Sequence, residues 1–114
     1  MLSIEALREY GADVDEGMHR CMDNEQFYFM LINKILDDSS IEKLEEAIGS
    51  ENLEAAFEAA HGFKGVLGNL ALTPVYKPVS EMTELLRSKE KADYGKYIEE
   101  IKIKWAKLKD MCGQ

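Results

Sequence analysis

The apolar residues of this chain recur at three- and four-residue steps in segment after segment, and no stretch alternates residue by residue. A chain patterned that way can bury its side chains only as amphipathic helices packed on one another. The spacing is clearest in L-E-A-A-F-E-A-A-H-G-F-K-G-V-L-G-N-L-A, residues 53–71, where Leu53, Phe57, Ala60, Phe63 or Val66, Leu67 and Leu70 share one face. Beside it runs a barer stripe. His61, Lys64, Gly65 and Gly68 stand at i, i+3, i+4 and i+7 and present one imidazole, one ammonium and little else. Each helical glycine costs roughly 0.5–1 kcal/mol relative to alanine, and Gly62, Gly65 and Gly68 fall within two turns. The close approach of another surface to this backbone, with His61 presented to it, would offset that cost.

Capping signals divide the rest of the chain. Ser3 opens a short helix from Ile4 to about Tyr10 that Gly11 stops, and Asp13 with Glu16 opens a second; together they predict an N-terminal lid over residues 1–22. Asp23 with Gln26 precedes a strongly apolar segment containing Phe27, Met30, Leu31 and Ile35. The run Asp37-Asp38-Ser39-Ser40 either breaks that helix, Ser39 and Glu42 forming another capping box, or is one irregular turn in a rod over 23–48. Ile41, Leu44 and Ile48 continue the stripe to Gly49, and Asn52 is placed to cap the histidine helix, an antiparallel neighbour across a short loop. Thr73 and Pro74 open the next helix, with Val75, Val79, Met82 and Leu86 buried and a kink or true start near Pro78. After Asp93, the positions Tyr94, Tyr97 or Ile98, Ile101, Trp105, Leu108 and Cys112 form the last stripe. The expected architecture is all-α: one domain over 1–114, with an antiparallel up-down four-helix bundle over 23–112 and the short helical lid.

A chain of 114 residues has room for one core. Its net charge of −8 opposes a nucleic-acid or anionic-membrane surface, which requires excess Lys and Arg. The first ten residues lack a basic region followed by an apolar run, and no segment approaches the ~20 apolar residues of a spanning helix, so a cytoplasmic protein is expected. Cys21 and Cys112 have no paired spacing and read as free thiols.

The run A-A-H-G-F-K-G-V-L-G-N-L resembles the core of the histidine-containing phosphotransfer (HPt) domain, a histidine followed by lysine at the third position and glycine at the fourth. The following L-T-P-V-Y and the spacing of the later helices also fit, so the resemblance extends over most of the chain. Gly62 and Phe63 depart from the larger residue and leucine common there, and Ala71 stands where a glycine often follows Asn-Leu. The resemblance implies a phosphocarrier rather than an enzyme: His61 accepts a phosphoryl group from an aspartyl-phosphate on one receiver domain and passes it to another. The partners implied are response-regulator receivers or a hybrid sensor histidine kinase, and a monomer is expected. No cofactor is expected on this chain, Mg²⁺ belonging to the receiver.

The residue chemistry agrees with that implication. A neutral imidazole is nucleophilic without a base, and no Ser or Cys near His61 suggests a triad. Lys64 is placed to neutralise phosphoryl oxygens. Gly62, Gly65 and Gly68 would admit a partner's loops, and Thr83 and Arg87 on the next helix are further docking candidates. His19 reads as structural. Two other readings remain: an adaptor that binds receivers without carrying phosphate, and a di-metal carboxylate bundle suggested by Glu58-x-x-His61 and Glu16-x-x-His19.

Overall fold

Short polar side chains start most of the helices in the computed structural model, which describes residues 2–113. The helices are α1 (Ile4–Tyr10), α2 (Val14–Arg20), α3 (Glu25–Ile35), α4 (Ser40–Gly49), α5 (Leu53–Asn69), α6 (Thr73–Arg87) and α7 (Tyr94–Met111). The described residues contain no strand, and no helix among them is long and apolar enough to cross a membrane. Ser3 Oγ accepts from the Ala6 N–H at 3.0 Å, Asp13 Oδ1 from Glu16 at 3.3 Å, Asn52 Oδ1 from Ala55 at 3.0 Å and Asp93 Oδ1 from Lys96 at 3.2 Å. Each satisfies a first-turn donor that the helix itself leaves unpaired.

Three starts differ from expectation. Asn24, not Asp23, caps α3, accepting from Phe27 N–H at 3.0 Å, because Asp23 lies in a left-handed turn with φ 57°. Ser39 makes no side-chain cap to α4; Asp38 Oδ1 instead accepts from Ser40 N–H at 2.7 Å and from the Ser40 hydroxyl. That carboxylate turn breaks the 23–48 segment into two helices. Thr73 is already helical rather than a cap, its hydroxyl donating to the Ala71 carbonyl at 3.4 Å, and α6 runs through buried Pro78 without restarting there.

Helix α5 packs against α4 and α6, α6 against α7, and α7 returns to α4, closing a ring. Helix α3 packs against α2, with Tyr28, Ile32 and Ile35 buried in the core and the Tyr28 hydroxyl reaching the Leu70 carbonyl just after α5. The interior is filled by Leu44, Ala60, Leu67, Val79, Met82, Leu86, Ile101 and Leu108. Between the two candidates on α5, Phe63 turns inward and meets Trp105 edge-on at 5.4 Å, whereas Val66 is 42% exposed. On α7, Ile98 is buried and Tyr97 half-buried. Cys21 is buried, Cys112 half-buried, and both are free thiols.

Two tyrosines tie the N-terminal helices down. Tyr10 donates from its hydroxyl to the Lys104 carbonyl at 2.8 Å, and Tyr28 to the Leu70 carbonyl at 2.8 Å. The Asp13 N–H adds a bond to the Ala71 carbonyl at 2.9 Å, so the turn after α5 is held from both sides of α2. Burial pushes the Tyr28 hydroxyl up to about 12, with Cys21 and Asp13 adding repulsion, and burial raises Tyr10 as well. Both folded values exceed the unfolded value of about 10, so the stability these phenols contribute is whole below pH ~10 and is lost as pH rises through the folded values. Urea midpoints should fall between pH ~10 and ~12, less steeply for Tyr28→Phe than for wild type. Equal slopes would remove Tyr28 from that dependence.

Candidate functional site

Because Ala56, Ala60, Phe63 and Leu67 point α5 into the core, its opposite face turns outward with His61 and Gly65 exposed and Lys64 and Gly68 half-buried. An open cleft of about 590 Å³ joins His61, Lys64, Gly65 and Gly68 to Arg20 of α2 and Lys77 of α6. Three cations thus face the cleft, against one carboxylate, Asp13, on a chain whose net charge is −8. The cleft therefore favours an anion more than the rest of the surface does. Arg20 is braced by Glu16 Oε1 at 2.8 Å and by Asn69 Oδ1 at 3.4 Å. Arg20 and Lys77 escaped the sequence reading because nothing local marks them; only packing brings α2 and α6 beside His61.

The His61 ring stacks on Phe57, one turn earlier, with centroids 5.4 Å apart and planes 15° apart. The Arg87 guanidinium lies 5.0 Å from the Phe57 centroid. Glu84 serves two cations: Oε1 is 3.4 Å from Arg87 Nε and Oε2 is 3.7 Å from Lys64 Nζ. Such exposed pairs contribute about 0–1 kcal/mol, so Glu84 holds Lys64 only loosely and a dianion nearby would compete for it.

One docking expectation is corrected. Thr83 is fully buried in line with Val79, Met82 and Leu86, and its hydroxyl donates to the Val79 carbonyl at 2.6 Å; it belongs to the core. Arg87 is exposed. The glycines divide by what a Cβ would meet. At Gly62 and Gly65 nothing lies within 4 Å, whereas at Gly68 it would stand 3.2 Å from Tyr76 Cε2, so an internal contact with α6 accounts for Gly68. Gly65→Ala is expected to raise stability by about 0.5–1 kcal/mol. Gly68→Gln should lower it by displacing Tyr76, and thermal unfolding would distinguish them; equal shifts would erase the distinction.

His19 is exposed on α2 and does not line the cleft. Among the described residues no group of three or more His, Cys, Asp or Glu side chains comes together as a metal site. The two Glu-x-x-His pairs are therefore not assembled into a carboxylate di-metal centre.

A sequence model of the Hpt domain matches residues 36–114, well over half of the chain. The chain belongs to the Hpt domain family. The match takes in α4 to α7, the four helices of the ring, and leaves α1 to α3 outside it. Searches of curated proteins and of solved structures returned no match. Hpt domains are phosphocarriers of two-component phosphorelays that hold the phosphoryl group as phosphohistidine, and this places the chain in phosphotransfer signalling.

Proposed function

We propose that His61 is the phosphoryl acceptor of this Hpt domain, taking the group from a receiver's aspartyl-phosphate and passing it to a second receiver. The observation that carries this reading is an exposed imidazole at a cationic cleft, on a helix face stripped of side chains by Gly62 and Gly65. In the forward step the lone pair of a neutral imidazole nitrogen attacks phosphorus. The N–P bond forms as the P–O bond to the aspartyl oxygen breaks, and the bonding pair leaves with the carboxylate. The proton on the other ring nitrogen passes to water, and return transfer reverses the order. Lys64, loosely held by Glu84, turns to the phosphoryl oxygens; Arg20 and Lys77 add positive charge around them.

Partners are response-regulator receivers or a hybrid sensor histidine kinase, docking over Gly62, Gly65 and Arg87, with Mg²⁺ held by the receiver and no cofactor on this chain. The domain is a cytoplasmic monomer over 1–114 that binds neither nucleic acid nor membrane. Its ring of α4 to α7 reads as an antiparallel up-down bundle, since these adjacent packed helices are joined by short connections, and α1 and α2 read as its lid. The test is incubation with a panel of phosphorylated receivers. Acid-labile, base-stable label should move to this chain. Binding without label would make it an adaptor, and neither binding nor label would overturn the reading.

A further inference from the structure

We infer that Phe57 is a positioning residue for His61, its ring holding the imidazole presented to the cleft for in-line attack on phosphorus. The inference rests on the phosphocarrier reading above and adds a residue that sequence alone assigned to the apolar stripe.

An exposed histidine on a helix ordinarily exchanges among rotamers, and each misdirected rotamer withdraws the nucleophile from the reactive geometry. Among the described residues no hydrogen bond or ion pair holds the His61 ring; the contact that fixes its plane is the near-parallel stack on Phe57 at 5.4 Å and 15°. The spacing is one helical turn, at which side chains i and i+4 lie over one another. Phe57 is itself steadied, half-buried against the core and approached at 5.0 Å by the Arg87 guanidinium, which Glu84 anchors at 3.4 Å. The platform is thus built from α5 and α6 together. It also suits the chemistry: as the N–P bond forms, the imidazole takes on positive charge, which an aromatic face favours. A leucine at 57 would keep the apolar contact with the core and lose both the flat surface and the electrostatic preference.

His19 supplies an internal reference, since its ring has no aromatic neighbour among the described residues. In the proton NMR spectrum of the wild-type chain, the His61 ring protons should lie upfield of those of His19, displaced by the ring current of Phe57. Phe57→Leu should move them to the His19 positions and slow labelling by a small phosphoramidate, which needs no docking surface, by about two- to tenfold. Phe57→Tyr should restore both. His61 protons without upfield displacement in the wild type would overturn the stack without recourse to any variant. Labelling of Phe57→Leu at the wild-type rate would overturn the positioning role while leaving His61 as acceptor. A wild-type chain that takes label from neither phosphoramidate nor any receiver would overturn the carrier reading, and the positioning role with it, whatever the ring protons show.

Discussion

His61→Gln should fold as the wild type does and accept no phosphoryl group from any donor. His61 is exposed and makes no hydrogen bond among the described residues, so its loss removes only the stack on Phe57. The change in stability should stay within the range of an exposed substitution, about ±0.5 kcal/mol. Transfer has no alternative imidazole in the cleft: His61 is the one histidine among its lining residues, and His19 lies outside it. The measurement is label after incubation with a phosphorylated receiver and with phosphoramidate, followed by mild acid and by base. Undiminished label on the mutant, or label found on His19, would place the chemistry elsewhere. Lys64→Ala is the companion variant. It should still be labelled, with a shorter phosphohistidine lifetime, because it removes charge around the group and leaves the nucleophile.

Gly17→Ala should be among the most destabilising small substitutions in the chain, although helix propensity alone favours it by about 1 kcal/mol. A Cβ at position 17 would stand 2.5 Å from the Tyr28 hydroxyl oxygen, 2.6 Å from Cζ and 2.8 Å from Cε1. The Tyr28 ring is rigid and fully buried, and its hydroxyl is committed to the Leu70 carbonyl at 2.8 Å. Either α2 moves away or the tyrosine does. Overpacking of this kind costs about 1–3 kcal/mol, and stranding the Leu70 carbonyl costs about 1–3 kcal/mol more. A net loss of about 2 kcal/mol or more follows, on the order of 10 °C in melting temperature. The loss in Gly17→Ala combined with Tyr28→Phe should be less than the sum of the single losses, because the hydroxyl is the nearest obstacle. A melting temperature at or above wild type would show that α2 does not sit against Tyr28. Because α2 also carries Arg20 into the cleft, the same substitution should weaken phosphoryl acceptance, which no propensity argument anticipates.

The helical class, the positions of α1 and α2, the cap of α5 and the outward face of His61 were legible in the sequence because each depends on local chemistry. A 3.6-residue repeat reports its own buried side, and Ser3, Asp13, Asn52 and Asp93 act within one turn of themselves. The break at Asp37–Ser40 stayed open because both of its readings satisfy the same local pattern; a carboxylate at Asp38 decided it. Tertiary packing alone sorted the glycines, leaving Gly62 and Gly65 open, putting Gly68 under Tyr76 and making room for Tyr28 at Gly17. It likewise turned Thr83 inward and brought Arg20 and Lys77 to the cleft. Ala71 shows both levels at one residue: the resemblance to the HPt family marked it as standing where a glycine often does, and the structure gives it φ 54°, a left-handed conformation that a side chain disfavours. The physical division is one of range. Periodicity and capping are written in neighbours along the chain, whereas what a bare Cα or a cation faces is set by residues many positions away, and these meet only when α2, α5 and α6 pack.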